Sequence, residues 1–293
     1  MNSFHTIAIP HKDILEGRLT LDTFAADLWE VAQKRGPDEY KDAALFFEKT
    51  YITEGLQNLL DIVERRINGK GGDPVIQLQT PFGGGKTHAL IAIYHKAAEW
   101  KAKQIAIAGT SLNPNQTLWG ILEQQLTGHI QHLTDRTAPG KEKLRNLLIP
   151  HQPIVILIDE LLEYITRAAG VKIEESTLAA QSIAFMQELT ELAASLEKLI
   201  LVVTLPSSAT EHYDESAELY YQKLQKVTGR VEKIYTPVQD NEIAQIVRRR
   251  LFSRIDETKA RQIVNEFVDY ADKESILPEN NKPADYRLRF SGP

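Results

Sequence analysis

Apolar positions along the chain follow two periods, and the change between them divides the sequence. Residues 1–74 show helical spacing, which predicts an amphipathic helical segment. The clearest apolar stripe in it is Leu56, Leu59, Leu60, Val63 and Ile67. A glycine-rich breaker at residues 69–74 ends the segment. After it, short apolar runs alternate with helical patterns, which is typical of a parallel sheet with helices on both faces.

Five apolar runs predict the strands of this sheet. They are residues 75–79, 104–109, 153–158, 199–204 and 231–235. Residues 154–158 are all aliphatic, which fits a strand covered on both faces. The predicted fold is therefore α/β, with a five-stranded parallel sheet in residues 75–237. A helical N-terminal segment in residues 1–74 packs on this core, and residues 238–293 form a partial helical lid.

A glycine-rich turn follows the first predicted strand and precedes a helical pattern. It consists of Thr80, Pro81, Phe82, Gly83, Gly84, Gly85, Lys86 and Thr87, followed by His88. Strand, glycine turn, Lys-Thr and helix form the context of a phosphate-binding loop, in which backbone N–H groups surround phosphate oxygens. Lys86 can reach the β- and γ-phosphates of ATP, and the Thr87 hydroxyl can ligate Mg²⁺. Glycine usually occupies the position of Thr80, and the three glycines that follow compensate.

Two adjacent carboxylates, Asp159 and Glu160, follow the aliphatic run 154–158. They stand at the carboxyl end of a predicted strand, where ligands of open α/β sheets bind. Asp159 is predicted to hold the Mg²⁺ shell, and Glu160 to activate the attacking water as general base. The alternative is a solvated strand end with ordinary acids. Their distance downstream of the glycine turn favours the functional interpretation.

Two further residues are candidates for catalysis. Thr204 ends the strand after the acid pair, and its hydroxyl is predicted to orient the attacking water. Arg230 precedes the last predicted strand, at the rim of the domain. There it is suited to act as an arginine finger on a neighbouring subunit's nucleotide. The alternatives are a neutral strand-end threonine and a surface arginine in a turn.

Two other clusters have simpler interpretations. Phe46, Phe47 and Tyr51 are expected to pack in the core, although part of this cluster could line an adenine pocket. The adjacent Arg248, Arg249 and Arg250 lie in a predicted helix of the lid. Three adjacent arginines point in different directions around a helix, and we interpret them as a solvated surface rather than a DNA-binding patch.

Composition narrows the function classes. The 293 residues are 42% hydrophobic and 25% charged, which indicates a soluble globular protein. Cysteine is absent, which excludes disulfides, thiol catalysis and Cys-ligated zinc. The net charge of −6 does not favour nucleic acid as a partner of the whole surface. No apolar run is long enough to span a membrane and no secretory signal is visible, so we expect a cytoplasmic protein without membrane contact.

Taken together, these stretches resemble the AAA+ ATPases of the domain-of-unknown-function 499 family of prokaryotic ATP-binding proteins. The resemblance is carried by residues 51–56, 79–88, 235–238 and the strand with Asp159 and Glu160. The most specific string is Thr-Pro-Phe-Gly-Gly-Gly-Lys-Thr-His at residues 80–88. Family members continue past the end of this chain, so the lid is expected to be incomplete.

The resemblance implies a role for each candidate residue. The Walker A residues correspond to Gly83, Gly85, Lys86 and Thr87, and the Walker B residues to Asp159 and Glu160. Thr204 resembles the first sensor and Arg230 the arginine finger. The resemblance also implies ATP and Mg²⁺ as cofactors, assembly into a homo-oligomer, and methyltransferases or helicases of phage-defence systems as partners.

Three other functions are weighed against an ATPase. The first is a nucleotide-binding switch or scaffold with little or no hydrolysis, which an incomplete lid would favour. The second is a GTPase or small-molecule kinase, but residues 281–284 lack the last aspartate of a guanine-specific Asn-Lys-x-Asp motif. The third is a metallohydrolase built on His129 and His132, for which no carboxylate-rich partner motif is present.

Overall fold

The computed structural model of the protein describes residues 7–17, 26–80, 85–206, 215–228, 232–235, 238 and 242–276, with 283, 284 and 287. The chain separates into two compact units. Unit 1 comprises Met1–Leu21, Glu48–Tyr51 and Ala244–Pro293, and unit 2 comprises Asp22–Phe47 and Ile52–Ile243. The three-part division predicted from the sequence, with boundaries after residues 74 and 237, stays a prediction.

Nine strands lie within the described residues. They are β1 (Ala8–Pro10), β2 (Val75–Thr80), β3 (Lys103–Ala108), β4 (Ile154–Asp159), β5 (Lys172–Ile173), β6 (Ser176–Thr177), β7 (Leu199–Pro206), β8 (Glu232–Tyr235) and β9 (Phe252–Ile255). The main sheet belongs to unit 2 and has the order β3-β4-β7-β2-β8. All its neighbouring strands are parallel. Four strands of six to eight residues form its body, and β8 adds a four-residue edge strand.

Thirteen α-helices are described. They are α1 (Lys12–Leu15), α2 (Leu28–Ala32), α3 (Asp38–Lys41), α4 (Ala43–Lys49), α5 (Glu54–Ile67), α6 (Lys86–Glu99), α7 (Leu118–Thr127), α8 (Lys141–Leu148), α9 (Leu161–Ala168), α10 (Leu178–Ser195), α11 (Glu215–Thr228), α12 (Ile243–Leu251) and α13 (Glu257–Lys273). None of these helices has the length and apolar character that crossing a membrane requires.

The side chains of β4 alternate between two cores. Ile154, Ile156 and Ile158 pack on one face of the sheet, together with α7, α9 and α10. Val155 and Leu157 pack on the other face, together with α5 and α6. Because successive side chains of a strand point to opposite faces, an all-aliphatic strand needs a helical layer on each side. The predicted α/β class, with a parallel sheet covered by helices on both faces, is confirmed.

Helix α5 is held in place by contacts at both of its ends and along its buried face. Its first turn is capped by Thr53, whose side chain accepts from the N–H of Leu56 at 3.0 Å. All five residues of the apolar stripe predicted in this helix are buried. At its other end, the buried Arg66 donates to the carbonyl oxygens of Ala193 at 2.6 Å and Leu196 at 2.7 Å. These bonds satisfy carbonyls at the end of α10 and tie α5 to that helix.

Unit 1 is built on a short antiparallel pair. Strand β1 pairs with β9, with Ala8 opposite Ile255 and Ile9 opposite Arg254. Helices α12 and α13 flank β9 along the chain. The sequence did not predict β9, because its partner strand lies near the other end of the chain and a four-residue strand has no period of its own.

Candidate functional site

Gly85 sets the start of α6. Its backbone has φ 76° and ψ 17°, a left-handed conformation that glycine adopts without a steric penalty. A Cβ at this position would also meet Cγ2 of Val238 at 3.2 Å. Because Gly85 is the N-cap and has no side chain, it leaves the first-turn N–H groups of α6 to an external acceptor. Four predicted cofactor-binding residues, Pro81, Phe82, Gly83 and Gly84, lie outside the described residues, as does the side chain of Thr80.

The start of α6 meets the end of β4 at Asp159. The Thr87 side chain lies close enough to the Asp159 carboxylate to favour its ionised form, and the positive charge of Lys86 acts in the same direction. Asp159 is only 3% exposed. Burial raises its pKa above the ordinary value, and the hydrogen bonds and the Lys86 charge oppose that rise. The structure therefore brings together two residues predicted to serve Mg²⁺, Thr87 and Asp159.

Thr204 fixes both acids through one hydroxyl group. Its Oγ1 donates to Oδ1 of Asp159 at 2.6 Å and accepts from the backbone N–H of Glu160 at 2.8 Å. The residue is 1% exposed. Because a hydroxyl carries a single proton, Thr204 has no second one to offer a water while it bonds Asp159. Its contacts position the acid pair, and the predicted role in orienting water stays a prediction.

Glu160 stands in a left-handed conformation at the N-cap of α9, with φ 50° and ψ 43°. A non-glycine residue in this region carries backbone strain. Its Oε2 accepts a hydrogen bond from Oγ1 of Thr110 at 2.7 Å. The backbone of the neighbouring strand end also comes very close, since a Cβ on Gly109 would lie 2.1 Å from the Glu160 carbonyl oxygen. These contacts hold the glutamate at the edge of the sheet.

The pKa of Glu160 is raised. The main cause is loss of hydration by nearby protein atoms, although the side chain reaches the surface. The Thr110 hydrogen bond opposes the rise, and the negative charges of Asp159, Glu163 and Asp27 add to it. A carboxylate with a raised pKa is a stronger base than an ordinary glutamate, which suits proton abstraction from water.

Sequence reasoning missed Gly109, Thr110 and Arg167. The Arg167 guanidinium donates to the Gly109 carbonyl oxygen, so α9 braces the strand end that carries Thr110. A signal was present, because Gly109 and Thr110 follow β3 just as Glu160 follows β4. Polar groups at adjacent ends of parallel strands share one edge of a sheet.

His88, also predicted to bind the cofactor, packs in an aromatic cluster. Its ring centroid lies 4.5 Å from that of Phe46 and 6.4 Å from that of Tyr40. Phe46 is 1% exposed, so the core interpretation is confirmed for this residue. A contact between His88 and a nucleotide stays a prediction. Arg230 lies outside the described residues, and its role as a finger stays a prediction as well.

A family model matches most of the chain. The model of the DUF499 N-terminal domain covers residues 9–106 and 105–243. No curated protein matches the sequence.

Several solved structures show a distant likeness. A DNA replication initiation factor is 15% identical, with 81% of this chain and 60% of that chain covered at a TM-score of 0.36. AMPPCP-bound DnaA from Aquifex aeolicus is 14% identical, with coverages of 87% and 66% and a TM-score of 0.37. Drosophila ORC bound to DNA is 15% identical, with coverages of 95% and 71% and a TM-score of 0.36. The chain thus spans about 60% of the first of these proteins, and its own site geometry carries the functional conclusion.

Proposed function

This chain belongs to the DUF499 N-terminal domain family, and on that premise we propose that unit 2 is an AAA+ module that binds ATP with Mg²⁺ and hydrolyses it. The observation that carries the proposal is the proximity of the Thr87 side chain, at the start of α6, to the Asp159 carboxylate, at the end of β4, whose ionised form it favours. It joins the phosphate-binding half of the predicted site to the carboxylate half.

The start of α6 suits the triphosphate. A helix N-terminus carries a partial positive charge and open N–H donors, and both favour an anion. Lys86 adds a full positive charge in the first turn of the helix. Its ammonium would bind the β- and γ-phosphates, where it offsets charge that grows as the terminal phosphate leaves.

The residues present also fit Mg²⁺. Thr87 and Asp159 offer a hydroxyl and a carboxylate oxygen, which are hard donors of the type that Mg²⁺ prefers. Among the described residues, no group of three or more His, Asp or Glu side chains could hold a metal. Mg²⁺ needs no such group, because one or two protein oxygens, phosphates and waters complete its shell. When bound, it would neutralise phosphate charge.

Glu160 would act as the general base. Its carboxylate accepts a proton from a water whose oxygen attacks the terminal phosphorus, and the bond to the ADP oxygen breaks. The products are ADP and inorganic phosphate. Thr87 and Thr204 favour the ionised form of Asp159 against the effect of burial, and Thr204 holds the backbone of Glu160 in place.

The test compares two lysines of the same helix. Lys86→Ala should weaken ATP binding about tenfold to hundredfold, as expected for the loss of charge-assisted hydrogen bonds, and should abolish Mg²⁺-dependent phosphate release. Lys96→Ala is the matched control, because Lys96 lies in α6 but pairs with Glu99 at 2.7 Å. Wild-type affinity in Lys86→Ala would refute the proposal. Competition between ATP and GTP in the same assay identifies the base that the site selects.

One observation favours a second candidate, a nucleotide-dependent switch with little hydrolysis. The Glu160 carboxylate already accepts a hydrogen bond from Thr110, which occupies part of its capacity to accept from water. A switch would assemble with ATP without releasing phosphate. Rapid steady-state hydrolysis by the chain would exclude this candidate.

The proposal extends to assembly and partners. Homo-oligomerisation with Arg230 acting in trans, and association with DNA-modification or defence proteins, rest on the family resemblance. Sizing Glu160→Gln with and without ATP tests the first point. An ATP-induced oligomer that is lost in Glu160→Gln with Arg230→Ala supports the finger, and a strict monomer contradicts it.

A further inference from the structure

Unit 1 contains a cavity that the proposed ATPase mechanism does not use. Its volume is about 370 Å³, within the range of small-molecule sites. Four arginines line it, namely Arg248, Arg249, Arg254 and Arg261, and Glu257 is the one acidic residue of the lining. The sequence predicted a solvated surface for the first two of these arginines.

Three elements bring the arginines together. Arg248 and Arg249 lie in the last turn of α12, Arg254 lies on β9, and Arg261 lies near the start of α13. The backbone between them is fixed by the β1 partner, since the N–H of His11 donates to the Leu251 carbonyl at 3.0 Å. The convergence therefore depends on the pairing of β1 with β9, which no local pattern predicted.

Positive charge in the cavity exceeds the negative charge that faces it. Glu257 pairs with Arg248. Within the part of the chain that the structure describes, the side chains of Arg249 and Arg261 make no hydrogen bond or ion pair. Unit 1 also has a slight excess of basic over acidic residues, although the whole chain has a net charge of −6. An anion would therefore meet the guanidinium groups of Arg249 and Arg261, which pair with no carboxylate of the described residues.

Arginine forks match phosphate oxygens in geometry and charge. Tyr51 and Phe252 also line the cavity, and aromatic rings offer a stacking surface for a base or a sugar. We propose that this cavity binds a nucleoside phosphate, in the backbone of a single-stranded nucleic acid or as a free nucleotide. The site goes beyond the proposed ATPase function, because its lining residues belong to unit 1 and the ATPase residues to unit 2.

The test uses the full chain carrying Lys86→Ala, so that the proposed ATP site does not bind the probe. A fluorescein-labelled oligothymidylate is titrated without ATP. The double variant Arg249→Gln with Arg254→Gln should bind about tenfold more weakly, because charge-assisted hydrogen bonds are lost. The slope of log affinity against log salt concentration should also become less steep, by about 0.7 for each phosphate contact that is lost. The control, Arg250→Gln, removes one positive charge from α12 at a residue next to Arg249 but outside the lining.

Competition distinguishes the two sources of the phosphate. Displacement of the probe by thymidine monophosphate at equal phosphate concentration indicates a free nucleotide, and displacement by unlabelled strand alone indicates a polymer. Either result supports the proposal if the double variant is weakened and Arg250→Gln is not. Equal affinity in the double variant, or the same loss in Arg250→Gln, would overturn it and leave a solvated arginine surface. An unchanged far-ultraviolet spectrum checks the fold of each variant.

Discussion

The acidic end of β4 in unit 2 and the arginine cavity of unit 1 differ in how their charged groups are buried and paired. Asp159 is buried and held by Thr87 and Thr204. Arg249 is exposed, and its side chain has no partner among the described residues. A buried charge must be paired or hydrogen-bonded inside the protein. An exposed charge is hydrated by water and stays available to a ligand. Changes at β4 should therefore alter stability and chemistry together, whereas changes in the cavity should alter binding alone.

The largest effect is expected for Glu160→Gln. Glutamine keeps the size of the side chain but cannot accept a proton from water, so the rate of ATP hydrolysis should fall by about 10² to 10⁴ while ATP still binds. Phosphate release and nucleotide binding are measured on the same samples. Glu163→Gln, at the third residue of α9, serves as control and should retain most of the activity. Equal turnover by Glu160→Gln and wild type would remove the general base from the account.

Gly109→Ala tests the close approach between the ends of β3 and β4. The new Cβ would lie 2.1 Å from the Glu160 carbonyl oxygen, and backbone cannot yield as a flexible side chain does. We expect the free energy of unfolding to fall by about 3 kcal/mol, the upper part of the range for overpacking, in chemical denaturation. At Gly170 the nearest atom to such a Cβ is at 3.9 Å, so Gly170→Ala is the control. Similar losses in both variants would contradict the close approach.

Thr204→Val keeps the shape of the side chain and removes the hydroxyl. Asp159 then loses a donor and the Glu160 N–H loses its acceptor. The free energy of unfolding should fall by about 1–2 kcal/mol, as for buried groups left without a partner. Thr166→Val is the control, since its hydroxyl bonds only within its own helix, to the Leu162 carbonyl. A stability for Thr204→Val equal to that of the control would show that the acids are not held in this way.

The smallest effect concerns pH. The Thr110 hydrogen bond lowers the pKa of Glu160 and so opposes the rise that lost hydration causes. Hydrolysis needs the ionised carboxylate, so the rate should increase as pH rises through this pKa. Thr110→Val should raise the pKa further and move the acid limb of the rate profile to higher pH, and Thr110→Ser should restore it. An unmoved limb, or a shift to lower pH, would contradict the assignment.

Local patterns predicted the elements that have strong periods of their own. The aliphatic run of β4 was sufficient to predict the strand, and the apolar stripe of α5 was sufficient to predict the helix. In both, the period of the buried side chains reports the local structure. Strand β9 escaped prediction because β1, which pairs with it, comes from the other end of the chain. For the same reason the arginines of α12 looked like a solvated surface, since only β9 and α13 gather Arg254 and Arg261 beside them.

The candidate site likewise contains some contacts that the sequence predicts and others that it does not. The meeting of Thr87 with Asp159 followed from one rule, that the carboxyl ends of parallel strands share an edge of the sheet. The hydrogen bond from Thr110 to Glu160 follows the same rule, but no sequence motif marks Thr110. The double use of the Thr204 hydroxyl depends on the register of β4 against β7, which the sequence does not specify.

The most direct test of the central claim is a double-mutant cycle on the joint between α6 and β4. ATP affinity is measured with and without Mg²⁺ for wild type, Thr87→Val, Asp159→Asn and the double variant. If both residues serve one magnesium-nucleotide site, each single change removes most of the gain that Mg²⁺ gives, and the double variant is little worse, with a coupling of about 0.5–3 kcal/mol. Additive losses, or an affinity that Mg²⁺ does not change in wild type, would contradict the claim.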